Sequence, residues 1–508
     1  MTSETASAPG LAADPAFVIR VRSAVAWRWG SQVLAQVITW TSTIAVVRLL
    51  SPSDYGLFAM TQAVITALAF LNGHSFATSL IQADRIDERR IGQVFGLLLL
   101  LNGTLAAVQV ISAPMVARYY GEPLVADILR IQAVMFLTIP FIALPQELLA
   151  RRIEFRRQGM VSLLCAVVGA VTALALAWFG FGVWALVYAP IAMFVTRAVG
   201  LTIAARVLVK PVFDFRGAGD LITFGGALTI CQFFWIIQSQ SDIVVAGRVF
   251  DTHSLGLYSE ALFLTLILTG RFLPPINEVA FPAYAELHKA GKPLAPFFLR
   301  TMRTVLLVTA PAYIGLALVA EPAVLTLFGT KWAGMAPIVA GLALAMPAMA
   351  LQIVCSPTTN AMGRPRVYLM ANGAGALIFP LLFLAYVGEG PMGLVHAWWI
   401  AAPTLLAITL ALTLPIVGLG FVRLIRELAP VLAACGAMAL AVTVVGTAFA
   451  GFPAPALLAL LVAVGGLFYG GTLWIAWPHV VRETWAMLRR PAPARGNPPA
   501  KLGAAHPL

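Results

Sequence analysis

The sequence predicts an all-α membrane protein of 14 transmembrane helices: two six-helix lobes related by a parallel repeat, followed by two C-terminal helices. Three observations lead there. Of 508 residues, 60% are hydrophobic and only 11% charged, where soluble domains carry about 25% charged residues. Apolar stretches long enough to cross ~30 Å of hydrocarbon recur from one end of the chain to the other. A short motif returns after two hundred residues at an equivalent place in the helix order.

This composition, with a mean hydropathy of +0.90, excludes a water-soluble enzyme, and no polar block is long enough for a soluble domain of ~100 residues. The apolar runs are continuous rather than alternating, which argues against a β-barrel. A net charge of +12 does not imply nucleic acid as a partner. The basic residues fall in short clusters between apolar spans, as they do when they fix membrane topology and meet anionic headgroups. The four cysteines (Cys165, Cys231, Cys355, Cys435) lie inside apolar spans without metal-site spacing and read as small core residues.

The elements follow in order. Residues 1–22 form a cytoplasmic tail, and the lack of any Lys or Arg before its first apolar residues is unlike a cleavable signal peptide. Helices are expected at 25–47, 56–81, 92–116, 124–149, 159–180 and 182–205, forming an N-lobe over 23–207. A basic cytoplasmic linker (208–220) precedes helices at 221–247, 255–280, 301–322, 334–360, 367–387 and 392–416, the C-lobe over 221–416. Helices 13 and 14 (428–450 and 455–477) lie within 425–478, and 479–508 is a second cytoplasmic tail. The longest expected loop runs from Pro282 to Leu299, so function is expected inside the helical bundle.

Charge sorting supports this count. With the N-terminus in the cytoplasm, 26 of the 33 basic residues fall on the cytoplasmic side. Only Arg48, Arg118, Arg130, Arg248 and Lys331 fall outside, and Arg197 and Arg271 remain within the membrane. A missed or invented span midway would destroy that bias.

The repeat is carried by Arg48 with Gly56-Leu57-Phe58 and by Arg248 with Gly256-Leu257-Tyr258, each copy bridging an odd-numbered helix to the next. Six helices separate the copies, so both halves share one orientation. A cavity between two such lobes, able to open on either side, is the architecture of alternating access. Because the position of Arg48 and Arg248 repeats, architectural roles are assigned to them first.

The string from Val46 through Arg48, Ser51-Pro52-Ser53-Asp54-Tyr55-Gly56 and on to Met60 resembles the first-loop signature of the polysaccharide transporter family. That family belongs to the superfamily of multidrug, oligosaccharidyl-lipid and polysaccharide exporters. Asp242 ahead of Arg248, Gly256-Leu257-Tyr258, Phe281-Pro282-Ala283 and Gly363-Arg364-Pro365 fit the same pattern, and the resemblance covers roughly residues 20–480. It implies a bacterial inner-membrane flippase with both termini cytoplasmic. Such a protein moves undecaprenyl-pyrophosphate-linked oligosaccharide units to the periplasmic leaflet for exopolysaccharide, capsule or O-antigen assembly, alongside a polymerase and glycosyltransferases. It also implies no ATP hydrolysis, in keeping with the absence of a Gly-x4-Gly-Lys-Ser/Thr loop, and a groove for the polyprenyl tail at helices 13 and 14.

An anionic, hydroxyl-rich cargo calls for cations and hydrogen-bonding groups in a wet lumen. A basic residue deep in the bilayer is costly unless it faces water or a partner. Arg271, just before Pro274-Pro275, is the first candidate for substrate binding. Arg197 could alternatively snorkel toward headgroups. Arg28, between Trp27 and Trp29, reads as an interfacial anchor, although related flippases present arginines from their first helix. Asn277, Gln36, Asn72 and His74 are candidates for sugar hydroxyls, the last two at the middle of helix 2. Asp242, Glu278 and Glu260 are candidates for proton or sodium coupling, with pairing to Arg248 or another Arg as the structural role open to Asp242. No metal site or other cofactor is expected. Trp398-Trp399 read as part of an interfacial belt.

Two other functions compete. An ion-coupled drug antiporter of the same superfamily would be expected to have about twelve helices and mainly acidic lumen residues. A membrane glycosyltransferase would need paired acids in an outer loop, and no Asp-x-Asp, Asp-x-Glu or Glu-x-Asp occurs.

Overall fold

The computed structural model describes residues 15–73, 88–152, 154–206, 209–214, 219–479 and 482. Among these every regular element is a helix. The first half contains α1 (Pro15–Leu49), α2 (Pro52–Ala69), α3 (Glu88–Tyr120), α4 (Leu124–Gln132), α5 (Val134–Arg151), α6 (Phe155–Trp178) and α7 (Val183–Ala205). The second contains α8 (Gly219–Val249), α9 (Thr252–Lys289), α10 (Ala295–Leu318), α11 (Ala320–Leu327), α12 (Ala336–Ala361), α13 (Pro365–Tyr386) and α14 (Pro391–Val417). Last come α15 (Phe421–Ala448) and α16 (Ala454–Ala476).

The chain is a multi-pass membrane protein. Among the described residues, 12 helical stretches are long and apolar enough to cross a membrane, with α4 and α5 together forming one of them. The described part of α2, 18 residues long with Ser53-Asp54 in its first turn, is not among the twelve.

Local chemistry sets several boundaries differently from the sequence expectations. Helix α2 ends at Ala69, and Gly73 takes a left-handed φ of 73° that other residues avoid; the remainder of the expected 56–81 helix, residues 74–81, lies outside the described residues. Asn72 therefore lies in a turn beyond the helix rather than at its middle. The segment expected as a loop from Pro282 to Leu299 is largely helix: α9 continues through Pro274, Pro275 and Pro282 to Lys289, and α10 begins at Ala295. Three prolines in one helix are tolerated in a membrane bundle because neighbouring helices and side chains re-satisfy the freed carbonyls. The expected 301–322 helix begins earlier and breaks at Val319, after which α11 forms a separate short segment.

The pattern of packed pairs is regular. In the first half α3 packs on α5, α5 on α7, α6 on α7 and α1 on α6. In the second, α10 packs on α12, α12 on α14, α13 on α14 and α8 on α13. These are the same pairings, six membrane segments further on. Segment 209–214 docks on the start of α3, with the Val212 amide donating to Gly92 O at 2.9 Å and Arg89 paired to Asp214 at 2.9 Å. The last two helices pack on each other and on α10 and α11.

The halves meet where α2 crosses α9. A Cβ on Gly56 would lie 1.9 Å from Thr252 O, and one on Gly256 would lie 1.8 Å from Pro52 O. The contact is reciprocal, and only glycine allows the two backbones so close. The largest apolar core surrounds this crossing and draws on both halves, including Val47, Tyr55, Tyr258, Trp332 and Trp398.

Candidate functional site

Helix α1 packs on α6, and α9 on α2 and α12. Between α1 and α9 lie two adjoining cavities of 320 and 280 Å³, both bordered by Thr39, Thr43, Glu260 and Phe263. Spacing puts the polar groups there. Gln36, Thr39 or Trp40, and Thr43 recur at three- and four-residue intervals, which is one face of α1. On α9, Glu260 and Arg271 are eleven residues apart, three turns and ~16 Å, again on one face. Gln36 and Arg271 both border the larger cavity. The Arg271 side chain has no hydrogen bond or ion pair among the described residues. The site therefore presents an unpaired cation, a carboxylate, an amide and hydroxyls to a space with otherwise apolar walls. It suits an amphiphilic cargo with an anionic, hydroxyl-bearing head.

One end of this space is closed. At that end Arg48, the C-terminal turn of α1, donates from Nε to Leu327 O at 3.0 Å and from Nη2 to Thr326 O, capping α11. Arg248, the equivalent turn of α8, donates from Nη1 to Tyr119 O at the end of α3 and lies 5.4 Å from the Tyr119 ring. Each half thus sends an arginine to the C-terminal carbonyls of a helix in the other half, where unsatisfied oxygens and the negative end of the helix dipole receive it. Lys331 Nζ approaches the carbonyls of Arg48 and Leu49, and the buried Trp332 donates to Val47 O at 3.1 Å. Arg271 lies fifteen residues along α9 from the Gly256 crossing, ~22 Å toward the opposite end.

The remaining candidates lie elsewhere. Arg197 donates to Gln146 Oε1 at 3.0 Å and, with Asn72, borders a separate 300 Å³ cavity between α2, α5 and α7. Asn277 has a buried, unpartnered Oδ1, and Glu278 is exposed; neither borders the central cavities. His74 and the side chain of Arg28 lie outside the described residues.

Asp242 does not pair with Arg248. It is buried, with its Oδ2 accepting from the Tyr258 hydroxyl at 3.0 Å, and that hydroxyl accepts from Trp398 Nε1 at 3.0 Å. The chain of three ties α8, α9 and α14 together. Trp398 is accordingly a core residue and not part of an interfacial belt, whereas Trp399 is exposed and donates to Gly341 O. Sequence reasoning missed Thr39, Thr43 and Phe263 as cavity residues, although their helical spacing from Gln36 and Glu260 was a usable signal. It also missed Tyr258 as the partner of Asp242, sixteen residues away across a helix corner.

Three comparisons with known proteins show what this chain is similar to. The family described as "Polysaccharide biosynthesis protein" matches residues 45–337. The succinoglycan biosynthesis transport protein ExoT of Rhizobium meliloti (strain 1021) is 29% identical over 338 residues, 66% of this chain and 66% of that protein. The teichuronic acid biosynthesis protein TuaB of Bacillus subtilis (strain 168) is 25% identical over 344 residues, 64% and 67% of the two chains. Each match spans about two thirds of the relative's length. Among solved structures, the lipid II flippase MurJ in an inward closed conformation superposes with a TM-score of 0.73 at 13% identity, covering 90% of this chain and 99% of that one. At that identity the likeness is one of fold.

Proposed function

Given that the chain belongs to the polysaccharide biosynthesis protein family, we propose that it is a flippase. It carries undecaprenyl-pyrophosphate-linked oligosaccharide units from the cytoplasmic to the periplasmic leaflet of a bacterial inner membrane, for exopolysaccharide, capsule or O-antigen assembly. The reading is of a transporter with fourteen membrane spans and no ATP-driven step. The observation that carries it is the cavity between α1 and α9, with Arg271 unpaired at its far end and the near end shut by the glycine crossing and the two arginine clamps.

With the termini cytoplasmic, as the basic-residue bias favours, the clamped end faces the periplasm and the cavity is accessible from the cytoplasm. In the proposed cycle the pyrophosphate enters from that side and is partly neutralised by Arg271. Gln36, Thr39 and Thr43 bond sugar hydroxyls. Parting of the clamps then frees the cargo outward as the halves rock. Cation coupling is assigned to Asp242, near which the buried oxygens of Gln238 and Ser241 have no partner; Glu260 is the acid inside the cavity itself.

The test is flipping of labelled undecaprenyl-pyrophosphate-linked oligosaccharide in proteoliposomes, comparing the unaltered protein with Arg271→Ala at matched insertion. Transport reduced at least tenfold in the variant supports both function and site. Equal transport by both keeps the function and removes Arg271 from it. No transport by either, across several oligosaccharides and ion gradients, overturns the flippase reading in favour of an ion-coupled antiporter.

A further inference from the structure

A second charged cavity, of 610 Å³, lies outside the central site and shares no bordering residue with it. It is formed where α9 ends, α10 begins and α15 begins, at the end of the bundle opposite the arginine clamps. Lys292, Arg300, Arg303 and Arg423 border it, and a single carboxylate, Glu427, joins them. Glu427 is already engaged, by the buried Arg303 at 3.4 Å. The side chains of Lys292, Arg300 and Arg423 have no ion-pair partner among the described residues. Three uncompensated cations converging on one concavity repel one another, an arrangement that an anion relieves. Nearby apolar groups such as Phe297 complete the wall, so the site offers a charged mouth above an apolar flank.

We infer that this cavity binds the phosphate of an anionic membrane lipid headgroup, clamping α15 against α10. The chemistry recognised is a phosphate ester. Two features select a lipid rather than a free phosphate. The cations sit at the ends of membrane-crossing helices, at headgroup level, where basic pockets between helices meet anionic lipids. The apolar flank also gives acyl chains a surface that a free ion would not use. Arginine suits this role because its planar fork bonds phosphate oxygens in pairs. Because α15 and α16 reach the rest of the bundle through α10 and α11, an occupied site pins the last helix pair to the second half.

The test uses the full chain in detergent. Short-chain phosphatidylglycerol, phosphatidylcholine of equal chain length and inorganic phosphate are each titrated while the melting midpoint and bound-lipid stoichiometry by native mass spectrometry are read. Three proteins are compared: the unaltered chain, Arg300→Gln/Arg423→Gln, and Arg364→Gln/Arg366→Gln as a control for basic charge outside the cavity. The expected result is saturable stabilisation by phosphatidylglycerol, weakened at least tenfold in apparent affinity by the first pair and unchanged by the second. Equal stabilisation by phosphatidylcholine would overturn the proposal, as would inorganic phosphate acting as well as phosphatidylglycerol. Equal losses in both double variants would also overturn it, since they would reduce the effect to general surface charge. All of these readings are independent of transport, so they stand or fall apart from the flippase proposal.

Discussion

Adding one methyl group at Gly56 should unlatch the closed end of the cavity. An ordinary C···O approach is about 3.3 Å or more, and a Cβ at Gly56 would lie 1.9 Å from Thr252 O. Backbone cannot swing aside as a side chain can, so α2 and α9 must separate locally by ~1.4 Å in Gly56→Ala. Overpacking of this kind costs ~1–3 kcal/mol. The higher helix propensity of alanine acts equally in both states and cancels from their difference. Taking ~2 kcal/mol, the ratio of closed to open forms should fall about thirtyfold. The assay is labelling of Thr43→Cys by a membrane-impermeant maleimide added from the clamped side, in a background with Cys165, Cys231, Cys355 and Cys435 replaced. Labelling should rise by about an order of magnitude in Gly56→Ala and remain at baseline in Gly103→Ala, where the added carbon meets nothing within 4 Å. A folded, monodisperse Gly56→Ala protein that labels like its parent would refute the assignment of this crossing as a latch.

Other perturbations test the same framework. Tyr258→Phe deletes the hydroxyl between Asp242 Oδ2 and Trp398 Nε1 and leaves both buried groups unpaired, so thermal unfolding in detergent should show a loss of ~1–3 kcal/mol. Trp332, fully buried against Tyr55 and bonded to Val47 O, separates packing from hydrogen bonding: Trp332→Ala should cost ~3–5 kcal/mol and Trp332→Phe much less. Asp251, in the exposed turn before α9, accepts amide hydrogens from His253 and Ser254. Hydrogen bonding from Ser254 above all holds its carboxyl below the ordinary aspartate range. Its capping contribution should therefore be complete at neutral pH and fade as acidification protonates it; Asp251→Ala should cost ~1 kcal/mol at pH 7 while Asp251→Asn stays close to the parent.

The site was partly legible in the sequence. Arg271, Gln36 and Glu260 stood out because charged and amide side chains inside apolar runs are costly unless something receives them, and all three border the central cavity. Arg48 and Arg248 stood out as a repeated pair. Their targets did not, because the carbonyls of Thr326 and Tyr119 are chemically identical to every other carbonyl in the chain. Arg197 and Asn72 satisfied the same sequence criterion as Arg271 yet share a different cavity. Helical spacing fixes which residues share a face, but not which neighbour that face meets.

From sequence alone, the apolar runs determined a helical membrane protein, since a backbone in hydrocarbon must satisfy its hydrogen bonds within each segment. The clusters of Lys and Arg determined a sidedness bias. The structure closes the helix corners with local caps, a capping box of Ser51 with Asp54 and Asp251 at the start of α9. Tertiary structure decided what the sequence patterns leave open. It set the reciprocal seating of Gly56 and Gly256, the exchange of arginine clamps between halves, the engagement of Asp242 by Tyr258 and not by Arg248, and the convergence of Lys292, Arg300, Arg303 and Arg423 from two helices and a linker. In lipid the hydrophobic effect that makes each helix does not choose its neighbours. Close packing and polar pairing between particular faces make that choice, and those depend on residues far apart in the chain.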